Sequence, residues 1–192
     1  MTRVARAGSV PPARWAPQRR GVAAALALSS LGLLGTPALA GAATSHARRV
    51  GFVGHYTGTV ALLIDNGTAK ISSVKGQGTG TAALVGASTI SGAGSAGASA
   101  LCNPFGGRGT VVGKRGAIRF LVSSSNATGC SSGESGPVTV KFHGSAKAIG
   151  GTGVDKGAAG SLAFSGTLKL ANTSGSQSGT FTVVLHGTLT VG

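Results

Sequence analysis

Phe181, Val183, Leu185, Leu189 and Val191 stand at every second position of the last segment of the chain, with Gly187 in step. Such alternation gives an extended strand one apolar and one polar face, because successive side chains point to opposite sides. The rhythm recurs upstream. Tyr56, Val60, Leu62 and Ile64 keep one phase, with Gly58 in it; so do Ile118, Phe120 and Val122. Val138, Val140 and Phe142 follow, then Leu162, Phe164, Leu168 and Leu170 with Gly166 between them. No segment of ten or more residues carries an apolar stripe at helical spacing.

The pattern predicts about eight strands, near 55–64, 68–76, 79–85, 87–96, 108–113, 116–124, 137–149, 159–170 and 179–191, one pair of these merging. Asp65-Asn66-Gly67 and Gly113-Lys114-Arg115-Gly116 supply turn chemistry between strands, and 172–178 reads as a polar connection. Hairpins of this kind make local antiparallel contacts. The expected fold is all-β: a single antiparallel β-barrel, or a closely related sandwich, over residues 51–192. Gly58, Gly166 and Gly187 fall in the apolar phase, where a small closed sheet bends or a large opposing side chain needs room.

The N-terminus reads as an export signal. Arg3, Arg6, Arg14, Arg19 and Arg20 precede an apolar run from Gly21 to Gly35, and Ala38-Leu39-Ala40 follows as a small-residue cleavage site. Arg19-Arg20 abuts the run as in twin-arginine signals, but the bulky apolar pair that usually follows is missing, which favours the general secretory route. Residues 1–40 are thus the expected signal peptide and 41–50 a flexible leader. Cleavage after Ala40 leaves 152 of the 192 residues, and the net charge of +14 falls to +9 with the five arginines. No stable membrane span is expected afterwards. The expected location is the cell surface or the medium. In an exported chain, the isolated pair Cys102 and Cys130 is expected to form a disulfide.

Only three of the 192 residues are acidic, against 17 basic ones. That leaves little material for paired-acid catalysis or for carboxylate metal sites. Asp65 belongs to a turn, and Glu134 and Asp155 lie in Gly-rich loops that ordinarily face water. There is no G-x-S-x-G elbow and no phosphate loop between a strand and a helix. His55, His143 and His186 fall in the polar phase as scattered solvated residues. No catalytic residue, cofactor or metal is therefore assigned. The densest cationic stretch holds Arg108, Lys114, Arg115 and Arg119, and its expected contact is an anionic surface polymer. Sequence-specific nucleic-acid binding is not expected, because no platform of exposed aromatics is available for stacking. Thr-x-Thr pairs at 57/59, 79/81, 180/182 and 188/190 read as polar strand faces. Seven aromatics in the mature chain, six Phe and one Tyr, are too few for the girdles of an outer-membrane barrel.

Gly150-Gly151-Thr152-Gly153, followed by Ala158 and Gly160, resembles a turn of the dirigent and allene oxide cyclase-like barrels. The resemblance covers about eleven residues. It implies an eight-stranded antiparallel barrel, often secreted and often trimeric, so an oligomer is open. It also implies a small hydrophobic ligand in an apolar interior, with Tyr56, Phe142, Phe164 and Phe181 as the lining. Asp155 stands where the family places an aromatic, and the family's acidic cluster has no counterpart, so no activity carries over. Two functions compete: a non-catalytic exported β-domain binding anionic polymer through a cationic face, and a barrel binding or guiding a small hydrophobic molecule.

Overall fold

The computed structural model describes residues 47–65, 70–96, 101–134 and 136–192. Eight strands follow one another: β1 (Arg48–Asp65), β2 (Lys70–Ala82), β3 (Gly86–Ala96), β4 (Cys102–Gly113), β5 (Gly116–Ser131), β6 (Val138–Gly153), β7 (Ala159–Leu170) and β8 (Gly175–Val191). Each pairs antiparallel with the next, and β8 pairs with β1, closing the sheet into a barrel. Full closure leaves no strand edge to attract another chain.

Several strands are longer than their alternation suggests, because ladder pairing carries them past the apolar run. β1 starts at Arg48, which pairs with Val191, so the last three residues of the expected flexible leader belong to the sheet. The expected strands 68–76 and 79–85 are one strand, β2. Gly76, Gln77 and Gly78 keep the ladder with Gly92, Ser91 and Ile90. Ser176 and Ser178, expected in a connection, pair with Leu63 and Ala61. The expected signal peptide and the Asn66-Gly67 turn lie outside the described residues.

The apolar phase of each strand points inward. Phe52, Ile118, Leu162 and Leu189 are fully buried, and Phe52 meets Phe120 edge-on at 6.3 Å between ring centres. Burying such side chains contributes roughly 1.5–3 kcal/mol each. Val60, Leu62, Val138 and Leu170 form a second cluster toward the other end. Glycine supplies much of the inner wall of β2, and large rings from β1 and β8 lie against it. A Cβ on Gly80 would stand 2.8 Å from Tyr56 Cδ1, and one on Gly78 would stand 2.9 Å from Phe181 Cζ.

The GGTG segment forms a bulged corner. Pairing shifts between Arg119 and Phe120, which leaves Ile149 as the extra residue. Gly150 and Gly153 carry φ of 133° and 63°, backbone that side chains other than hydrogen strongly disfavour. The turn after it folds across this end of the barrel. Val154 N donates to Arg115 O, Ala158 N to Asp155 O and Gly192 N to Lys156 O.

Cys102 and Cys130 form the expected disulfide. They face each other directly in the β4–β5 ladder. Loop-entropy reasoning gives the crosslink about 3–4 kcal/mol.

Candidate functional site: the outer wall

The four aromatics expected to line the interior all point inward. Tyr56 and Phe164 are buried, while Phe142 and Phe181 are partly so. Phe142 and Phe164 meet at 6.3 Å, and Phe105, which the alternation did not single out, packs against both at 6.2 and 5.9 Å. Tyr56 and Phe181 stand apart from that triad, each on the glycine wall of β2. One buried polar pair interrupts this interior. The Tyr56 hydroxyl and Ser88 Oγ lie 2.9 Å apart, and Ser88 Oγ donates to Gly86 O at 3.1 Å. Burial pushes the Tyr56 phenol above its ordinary range, and the bond to Ser88 partly offsets this.

Asp155 corrects the expectation of a water-facing acid. It is fully buried, and neither carboxylate oxygen has a hydrogen-bond partner among the described residues. The cause is the turn that folds across the barrel end, which tucks this side chain against Gly116. Burial raises its pKa, and the nearby Arg115 charge works in the opposite direction.

The exposed chemistry lies on the outside. Two shallow grooves of about 410 and 380 Å³ cross the outer wall. The first spans β6–β8 and includes Lys141, His143, Ser165, Thr167 and Thr182. The second spans β1–β3 and includes Thr57, Thr59, Gln77, Thr79, Thr89 and Ser91.

Strand register joins them. Thr167 pairs with Thr182, Thr182 with Thr57, Thr57 with Thr79 and Thr79 with Thr89. One unbroken row of threonines therefore crosses five strands. Thr167 and Thr182 share a hydroxyl hydrogen bond of 2.9 Å. A second row runs beside it: Thr180, Thr59, Gln77, Ser91 and Thr110. At an interstrand spacing of about 4.8 Å, this second row extends roughly 19 Å. The Thr-x-Thr pairs in the sequence are the visible part of this field; the alignment comes from register.

Cations bracket the second row and cap one end of the first, whose far end at Thr89 meets Val112. Lys141 extends the first beyond Thr167, and Lys169 extends the second beyond Thr180. At the far end Thr110 pairs with Arg119, and Arg108 lies diagonally beside Arg119. Of the four cations expected to act together, Arg108 and Arg119 are therefore neighbours in mid-wall, while Lys114 and Arg115 lie at the hairpin tip. All four are exposed. Of the acids, Asp155 lies near one of these four cations, Arg115. Glu134 is exposed in the β5–β6 connection and Asp155 is buried, while Asp65 ends β1.

The three exposed histidines among the described residues do not all converge: His186 lies diagonally beside His55 across the β1–β8 seam, but His143 is remote. His143, Ser165, Val184 and His55 are successive register partners, which sets His143 three strands from His55. Among the described residues no three His, Cys, Asp or Glu side chains gather as a metal site. No helix among them is long and apolar enough to cross a membrane. The fold and its outer wall define a closed eight-stranded antiparallel barrel with an apolar interior and a hydroxyl-rich, cationic exterior. Comparison with protein-family models, curated proteins and solved structures returned no match to this chain.

Proposed function

We propose that the chain is an exported, non-catalytic barrel that binds an extended anionic polymer along its outer wall. The observation that carries this reading is the pair of hydroxyl rows, the first with a cation at one end and the second with cations at both. Lys141 and Lys169 stand at one end, Arg108 and Arg119 at the other. Hydroxyls donate to anionic oxygens and to sugar hydroxyls alike, and the terminal cations add charge-assisted bonds. A polymer whose backbone alternates phosphate with hydroxyl-bearing units matches both. The N-terminal signal pattern and the Cys102–Cys130 disulfide support a location outside the cytoplasm.

Inorganic polyphosphate is the simplest probe. The protein is expected to bind it at low ionic strength, with affinity falling as salt screens the cations. Neutral dextran is expected not to bind. Lys141→Ala with Lys169→Ala is expected to weaken binding about fivefold, the upper range for exposed charges. Thr59→Val with Thr79→Val, which leaves every charge in place, is expected to weaken it as well. Absence of polyphosphate binding at low salt, or unchanged binding by both double variants, overturns the reading.

A further inference from the structure

Seven large apolar side chains are strongly exposed among the described residues, and four of them share one region. Val112 lies on the outer side of β4, Leu121 on β5, Ile149 at the β6 bulge and Val154 in the turn that follows. They are 47, 36, 41 and 48% exposed. Register draws them together. Val112 pairs with Ala117, two residues from Arg119 on β5, and Ile149 bulges out beside Gly150, the partner of Arg119. Val154 bonds through its amide to Arg115 O at the hairpin tip.

The same region is strongly basic. Arg108 and Lys147 flank Leu121 on either side in the ladder, Arg119 lies at the centre, and Lys114 and Arg115 form the tip. A soluble polyanion satisfies these charges yet offers nothing to Val112, Ile149 or Val154. A second copy of the chain would bring five more cations against these five. A surface that is anionic outside and apolar just beneath satisfies both parts, and an anionic phospholipid bilayer is such a surface.

We infer that the β4–β6 face docks onto anionic lipid, with Val112, Ile149 and Val154 entering the headgroup region and the flanking Arg and Lys side chains on the phosphates. This is peripheral docking, since no strand need cross the bilayer. It borders the threonine rows and shares Arg108 and Arg119 with the end of the second, but its apolar anchors do not rest on polymer binding.

The test is co-sedimentation of the disulfide-bonded protein with phosphatidylglycerol/phosphatidylcholine vesicles, beside phosphatidylcholine vesicles alone. Partition onto the mixed vesicles is expected, with little onto phosphatidylcholine. Arg115→Ala and Arg119→Ala are each expected to reduce it about fivefold, the equivalent of one basic residue at an anionic surface. Val112→Ser with Ile149→Ser keeps every charge and, because both side chains are exposed, keeps the melting temperature. This variant is expected to partition about tenfold less while binding polyphosphate as the wild type does. Failure to sediment with the mixed vesicles, equal sedimentation with both kinds, or wild-type partition by the Val112/Ile149 variant overturns the inference. Loss of polyphosphate binding alone leaves it standing and removes only the polymer reading.

Discussion

The Tyr56 hydroxyl reaches Ser88 Oγ at 2.9 Å, and that serine passes its own proton to Gly86 O at 3.1 Å. Ser88 thus has a second partner, which makes the two members of the pair unequal. Ser88→Ala strands a buried phenol with no acceptor, at a cost of about 1–3 kcal/mol. Tyr56→Phe removes the phenol and leaves Ser88 satisfied by Gly86, at a cost of about 1 kcal/mol. Urea denaturation of the two variants is expected to rank Ser88→Ala as the more damaging.

Asp155 makes stability depend on pH in the direction opposite to an ion-paired acid. Its folded pKa is raised above the ordinary 3.8, so the folded state holds the proton more tightly than the unfolded state does. The contribution is therefore complete below the ordinary value and is lost as pH rises through the raised folded value. Asp155→Asn removes the titration. Denaturant midpoints measured from acid to neutral pH are expected to fall for the wild type relative to this variant. The variant is expected to be the more stable protein at pH 7.

Gly166 and Gly51 separate the glycines that the barrel requires from those it merely contains. A Cβ on Gly166 would sit 2.5 Å from Phe142 Cζ, with backbone of β8 on its other side. Gly166→Ala is expected to cost about 1–3 kcal/mol, the range for overpacking. A Cβ on Gly51 meets nothing within 4 Å, and φ there is not positive. Gly51→Ala is expected to gain roughly 0.4–1 kcal/mol by narrowing the unfolded ensemble. Thermal melts of the two variants are expected to shift in opposite directions.

What the sequence discloses here is what a single strand can encode. β7 is found at 159–170, the range its alternation predicts, and Tyr56, Phe142, Phe164 and Phe181 face inward as their phase requires. The cysteine pair is legible because few other fates suit two isolated thiols in a chain whose N-terminus reads as an export signal. What it conceals depends on partners distant along the chain. Arg48 resembles a loose leader until Val191 pairs with it. Gly76 to Gly80 resembles a break until β3 supplies its ladder. The threonine rows appear only when five strands are aligned, since a shift of one residue in any strand would scatter them across both faces. Asp155 sits in a Gly-rich stretch that reads as solvated, and its burial follows from the path of the whole turn across the barrel end.

The seam between β1 and β8 runs from Arg48↔Val191 to Ile64↔Gly175 and joins the first strand of the barrel to the last. Until the C-terminal residues are available, β1 lacks the neighbour on one side and exposes a full row of unsatisfied amides. Sealing must come late, after a loop of nearly the whole domain has been gathered in, and closures at such separation are slow. A nascent or C-terminally shortened chain therefore carries two sticky margins where the finished molecule has none, and its hazard is association with its own kind before the ring can shut.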